Sequence, residues 1–314
     1  MVGFLHWLRD VVVDALNGIV KFALVILFFV IVLIGIGMLR GDGLPGNMVL
    51  ALDLRGPMVD SAVQSPFSLS ARPMTVMDVI LGLDAAGRDS RVKGVYLRVG
   101  GGDLSVAQSE EIGAALKRFR ATGKYVIAHS QGFVSAGLGD YLAAANADEI
   151  WMQPKSPFDT SGSGAGAIFL RGLFDKIQAE PQIIKRSDYK SAADMFMEKD
   201  YTPADREQLT ALLTSFYNSS TSAVAGDRKL NPTAVKATFE ASPQFAENAQ
   251  KAGLIDKTGY DDQAMDAAIA RAGEGAKLAK FSDFVKETVS RDDYSPNGHV
   301  ALIEASGEIV DGTA

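Results

Sequence analysis

Hydrophobic and polar positions along this chain alternate between two periods. Beyond residue 46, short apolar runs bounded by turn residues take turns with stretches whose apolar residues recur every three or four positions. Met48–Leu54 reads as a strand that Gly56 and Pro57 break. Thr75, with Asp78 three residues on, caps a helix whose stripe is Val76, Val79, Ile80 and Leu83. Val92–Val99 is a second strand, followed by a sharp turn at Gly100–Gly102. Ser105 and Gln108 form a capping box ahead of the stripe Ile112, Ala115, Leu116 and Phe119, and Gly123 ends that helix. Tyr125–His129 is a third strand, a small-residue helix follows near 135–147, and Glu149–Met152 is a short fourth strand. This βαβα rhythm predicts an α/β fold with helix-covered, mostly parallel strands. Farther on, Gln182–Lys185 predicts another short strand. Thr202 as cap and Pro203 at the first helical position open a long helix, with Leu209, Leu212, Leu213 and Phe216 as its buried face. Helical segments near 231–239, 243–252 and 261–272 continue the pattern.

The N-terminus departs from that rhythm. Phe22–Leu39 is an unbroken apolar run of 18 residues between Lys21 and Arg40. At helical rise it spans about 27 Å, close to the hydrocarbon core of a bilayer. The sequence after it, RGDGLPGN, holds no small-x-small cleavage site. The run therefore predicts an uncleaved transmembrane anchor rather than a removed signal peptide. Arg9 and Lys21 ahead of the span bias the N-terminus toward the cytoplasm, and the apolar set within residues 1–17 suits an interfacial helix.

The C-terminus begins the pattern again. Residues 299–312 (HVALIEASGEIVDG) align with residues 48–61 (MVLALDLRGPMVDS) at an offset of 251, matching Val300 to Val49, Gly307 to Gly56 and Asp311 to Asp60. A lone strand cannot bury its own apolar face, so the chain is expected to be part of a two-unit protein. The expected organisation is a cytoplasmic stub and anchor over 1–45, a first repeat over 46–298, and the first strand of a second repeat over 299–314.

Composition narrows the chemistry. The 314 residues include no Cys, which excludes disulfides, thiolate metal sites and a Cys nucleophile. Three histidines, His6, His129 and His299, argue against a multi-histidine metal centre. Charges balance within residues 1–45, so the net charge of −7 sits on the body and disfavours nucleic acid as a partner.

Four places could carry chemistry. Gly100–Gly102, between a strand end and a helix start, has the form of an oxyanion or phosphate cradle, but lacks both P-loop and dinucleotide-binding spacing and, taken alone, reads better as an ordinary tight turn. Ser135–Tyr141 is a small-residue turn entering a helix, where a nucleophilic Ser could stand, although it is no G-x-S-x-G elbow. His129 adjoins Ser130 on a strand, where neighbours point to opposite faces, so a buried, satisfied histidine is expected there. Lys190 sits among small and apolar residues. Dry surroundings would let it lose its proton near neutral pH and serve as general base to a Ser; otherwise it pairs with Asp188 or Asp194.

The stretch Asp188–Phe196 (DYKSAADMF) resembles the lysine motif YKSAxEPF of the signal peptide peptidase A family, membrane-bound Ser–Lys peptidases with a ClpP/crotonase-like fold. The resemblance runs through the anchor, LDLRGPMVD, VKGVYLRVGGGDLSVAQSEEI, DYLAAANADEIWMQP and AENAQKAGLID, and is to the long, tandem-repeat form. In that form the first repeat supplies the Lys and the second the Ser. The resemblance implies Lys190 as the general base, with Asp188 standing for a usual Gly and Asp194-Met195 for Glu-Pro. The family's nucleophile stretch corresponds here to Leu138-Gly139-Asp140-Tyr141, so the nucleophile is implied to lie outside this chain, and the turn at Gly101–Gly102 to be a relic. It further implies a single-pass protein of the bacterial inner membrane with a periplasmic body, homo-oligomeric assembly, signal peptides or other apolar peptides as substrates, and no cofactor. A non-catalytic, membrane-anchored crotonase-like scaffold is the alternative, and an acyl-CoA-binding crotonase is disfavoured by the span and the lysine motif.

Overall fold

The computed structural model describes residues 17–32, 42–60, 73–101, 104–134, 138–160 and 164–289, together with Gly3 and Val13. The chain divides into two compact units, Met1–Pro45 and Gly46–Ala314. In the first, residues 17–32 are helical and exposed along their length. Residues 33–39 of the predicted span lie outside the described residues. Among the described residues no helix is long and apolar enough to cross a membrane. The predicted second-repeat strand, 299–314, also lies outside them.

The second unit is built on β1 (Met48–Asp53), β2 (Val92–Val99), β3 (Tyr125–Ser130), β4 (Glu149–Met152), β5 (Pro157–Phe158), β6 (Gln244–Phe245), β7 (Lys257–Thr258) and β8 (Lys277–Lys280). Its helices are α1 (Val76–Arg88), α2 (Val106–Ala121), α3 (Leu138–Ala144), α4 (Arg171–Lys176), α5 (Asp194–Met197), α6 (Pro203–Arg228), α7 (Pro232–Glu240), α8 (Ala246–Lys251), α9 (Asp261–Arg271) and α10 (Phe281–Thr288). Six strands form one sheet in the order β7-β4-β3-β2-β1-β8, and every pairing within it is parallel. β5 and β6 form a separate antiparallel pair. The central strand β3 is buried at every position, as expected of a parallel strand covered on both faces. The predicted α/β class with mostly parallel strands is what the chain adopts.

Local signals place the first half well. Thr75 and Asp78 bond reciprocally at the start of α1, and Ser105 and Gln108 do the same at α2. Ile112, Ala115, Leu116 and Phe119 are all buried. Between β3 and the segment after β4, Phe133, Tyr141, Phe158 and Phe239 form a buried aromatic cluster with mostly edge-to-face contacts. The Tyr141 hydroxyl donates to the Leu254 carbonyl at 2.6 Å, which satisfies the one polar atom that ring carries into the core.

Two expectations fail for one reason. Gln182–Lys185 forms no strand: it runs unpaired, and Ile184 is 98% exposed. The predicted buried face of α6 is open at Leu212 (50% exposed) and Phe216 (49%), and that helix buries Asp205 at its start and Ser220, Thr221, Val224 and Ala225 near its end. A 26-residue helix is about 39 Å long, more than the sheet of this unit can cover. Ile183, Ile184, Leu212 and Phe216 thus have no covering neighbour among the described residues, whereas Leu209 and Leu213 are half-buried.

Candidate functional site

Three loops converge at the carboxyl ends of the central strands, the side on which open α/β sheets gather ligands. Gly100 follows β2 with φ 104°, and a Cβ there would strike Ser130 Oγ and the Gly132 carbonyl. At Gly101 a Cβ would overlap the Arg55 carbonyl oxygen beyond β1. Glycine is therefore required at both positions by close backbone approach, independent of any ligand. Gly102, the other half of the predicted cradle, lies outside the described residues.

The described hydroxyl candidate after β3 is occupied. Ser130 is fully buried; its Oγ donates to the Gly132 carbonyl at 2.9 Å and accepts the Gly132 N–H at 3.1 Å. Ser135 lies outside the described residues. Leu138, at the nucleophile's place by resemblance, is buried, as is the whole of α3. A Cβ at Gly139 would run into the Leu104 carbonyl, so this helix start is packed tight rather than opened toward a substrate.

His129 is buried and satisfied, as its strand position implied. Its Nε2 lies 3.2 Å from the Gly259 carbonyl and its Nδ1 3.4 Å from Asp261 Oδ1. Burial holds its pKa below the ordinary histidine value, outweighing the pull of Gly259 and Asp261. Asp261 belongs to a polar cluster that sequence reasoning missed. The Tyr96 hydroxyl donates to its Oδ1 at 2.8 Å, and Arg98 forks onto both its oxygens. Burial raises the carboxyl's pKa, but the bonds from Tyr96 and Arg98 outweigh it and hold the group below the carboxylate range. Tyr96 and Arg98 share one face of β2 by the two-residue period, which was the available signal; their partner lies more than 160 residues away.

The lysine segment lies apart from these loops in sequence. Lys190 precedes a single 3₁₀ turn, Ser191–Ala193, that runs straight into α5. Its N–H closes a turn to the Ser187 carbonyl at 3.0 Å. The side chain is exposed and forms no ion pair with a described residue. Pairing with Asp194 does not occur, because Asp194 pairs with Lys185 at 2.7 Å. Ser191 Oγ accepts the Gln208 amide at 2.9 Å, so this serine is tied to α6. A cavity of about 280 Å³ opens beside the turn, lined by Ala165, Phe169, Ser191, Asp194, Met195 and Leu209 among others. Among the described residues nothing supplies the dry surroundings expected around Lys190. Among the described residues no group of acidic or histidine side chains could hold a metal ion.

Comparison with known proteins adds the family. The model of "Peptidase family S49" matches residues 118–275, half of the chain. Protease 4 of Haemophilus influenzae is 25% identical over 98% of this chain, which corresponds to 53% of that protein. Protease 4 of Salmonella typhi is also 25% identical, over 99% of this chain and 54% of its own length. The chloroplastic serine protease SPPA of Arabidopsis thaliana is 27% identical over 83% of the chain and 38% of its own length. The chain thus spans about half the length of the bacterial relatives. Among solved structures, the 1510-N membrane-bound stomatin-specific protease superposes with a TM-score of 0.41 at 11% identity, covering 76% of this chain and 98% of its own.

Proposed function

The chain belongs to peptidase family S49, and on that premise we propose that it is the lysine-bearing half of a membrane-anchored serine endopeptidase acting on cleaved signal peptides and other apolar peptides. One observation carries this reading. The lysine of the motif stands exposed on an ordered turn without an acidic partner, while the place that would hold the nucleophile is a buried leucine. A base without its hydroxyl fits a site completed by the second unit of a longer protein.

In that site Lys190 Nζ, unprotonated, takes the proton from a serine hydroxyl as its oxygen attacks the scissile carbonyl. The same proton passes to the leaving amine as the C–N bond breaks. Water, deprotonated by the lysine in turn, releases the acyl group from the serine. No cofactor takes part in these steps. Docking of the second unit over the turn would remove water from around Lys190. Extended apolar peptides would be read through main-chain hydrogen bonds and apolar pockets.

The apolar run Phe22–Leu39 supports an anchor in the bacterial inner membrane, with the body on the periplasmic side. The uncovered Ile183, Ile184, Leu212 and Phe216 support assembly with further copies or with the second unit. The missing nucleophile also suits a second reading, a non-catalytic anchored scaffold.

Turnover separates the two. In the natural full-length protein, Lys190→Ala and Lys190→Arg are expected to abolish hydrolysis of a casein substrate with assembly intact, because arginine does not deprotonate in a protein. Near-normal activity in Lys190→Arg would overturn the general-base role, and inactivity of the unaltered protein would favour the scaffold.

A further inference from the structure

Lys190 stands in a segment exposed along most of its length, yet Asp194, four residues on, is only 1% exposed. A buried carboxylate must be partnered, and both of its oxygens are. Lys185 Nζ donates to Oδ1 at 2.7 Å, and Thr202 Oγ1 donates to Oδ2 at 3.4 Å. Thr202 is the N-cap of α6, so Asp194 ties the lysine turn to the start of that helix. A second tie is independent of the first. Gln208 Nε2, one turn into α6, donates to Ser191 Oγ at 2.9 Å and to Asp205 Oδ1 at 2.8 Å. A third links the Tyr189 hydroxyl to Glu207 Oε2 at 2.9 Å. Residues 189, 191 and 194 are thus each fastened to α6 or its cap, and Lys190 is the one polar side chain between them without a hydrogen bond or ion pair to a described residue.

The charges are arranged to the same end. The hydrogen bond that Lys185 donates to Asp194 raises the lysine's pKa, so Lys185 stays protonated at neutral pH. Asp194 directs its charge to Lys185 and forms no ion pair with Lys190. Two lysines five residues apart are in this way given different tasks, one a fixed cation and the other an unpaired amine.

We propose that Asp194 is the positioning residue of the lysine turn: it fixes the backbone carrying Lys190 against α6 and holds Lys185 as a structural cation. This rests on Lys190 being the general base. Misplacing a reacting group by about 1 Å costs on the order of 100-fold in rate, so a loosened turn shows in kcat even where the fold survives.

Two measurements test it. On the 314-residue chain, Asp194→Ala is expected to speed tryptic cleavage after Arg186 and Lys190 about tenfold, as local opening becomes easier, with Asp194→Glu close to the unaltered protein. In the natural full-length protein, Asp194→Ala is expected to lower kcat roughly 10- to 100-fold with KM within about twofold, and Asp194→Glu to restore most of it. Asp194→Asn, which keeps the volume and loses the ion pair, covers the case in which the alanine variant does not fold. Unchanged cleavage, or unchanged kcat in Asp194→Ala and Asp194→Asn while Lys190→Ala is inactive, overturns the positioning role. Turnover that survives Lys190→Ala instead overturns the general-base reading, and the catalytic part of this proposal falls with it.

Discussion

Truncating Phe158 to alanine tests the packing that holds the strand ends in place. The ring is fully buried and meets three others, with centroids 5.0 Å from Tyr141, 5.7 Å from Phe133 and 6.4 Å from Phe239. Phe133 follows β3, Tyr141 lies in α3 and Phe239 in α7, so one side chain joins three elements. A buried Phe→Ala change costs about 3–5 kcal/mol, and aromatic pairs contribute about 0.5–1.5 kcal/mol each beyond their area. With three ring partners lost together, the upper half of that range, about 4–5 kcal/mol, is expected. That is a large share of the 5–15 kcal/mol by which domains are ordinarily stable. Urea unfolding followed by the fluorescence of Trp151 in β4 reads the loss. With a slope of about 1–3 kcal/mol per molar urea, the midpoint should fall by more than about 1 M. Phe158→Leu, which keeps most of the volume, should lose less than half as much. A fall below about 0.3 M in Phe158→Ala would show that the cluster does not hold these elements together.

Three further outcomes are expected. His129 is favoured in its neutral form when folded, so its contribution to stability is full above pH about 6.5 and is lost as pH falls below that value, with a slope of at most about 1.4 kcal/mol per pH unit; His129→Gln should flatten stability between pH 7 and 5, and an unchanged slope would contradict the buried assignment. Gly101→Ala places a methyl group against the Arg55 carbonyl and should cost about 1–3 kcal/mol in the same urea assay, whereas a neutral result would mean the turn is free to open. Carbonate extraction of membranes should leave the protein in the pellet if Phe22–Leu39 anchors it, and release into the supernatant would refute the anchor.

The first half of the body was legible because its signals are local. Thr75 with Asp78 and Ser105 with Gln108 act over three residues, and Val92–Val99 carries its own boundaries. The late strands were not legible: β7 and β8 are short and lysine-bearing, and exist because β4 and β1 offer them an edge. Gln182–Lys185 and the middle of α6 misled in the opposite direction, since an apolar pattern states that a surface wants covering without stating what covers it. At the candidate site, the proposed role of Lys190 was legible only as an implication of the resemblance of Asp188–Phe196 to a family motif. The bonds that hold its turn were not, because Asp194 and Ser191 find Thr202 and Gln208 only once α6 has folded beside them. Asp261 lies farther still from the sequence signal, its role set by Tyr96 and Arg98 across the sheet.

On the proposed function the site is divided, with the base at Lys190 and the hydroxyl outside this chain. Labelling with a serine-reactive fluorophosphonate probe addresses it directly. The repeat offset carries position 138 to about residue 389 of a longer protein, where the nucleophile is expected. The purified 314-residue chain should take up no stoichiometric label. The natural full-length protein should be labelled at one serine near that position, and the label should disappear in Lys190→Ala. Stoichiometric labelling of a serine within residues 1–314 that Lys190→Ala removes would place a complete dyad in this chain and contradict the account.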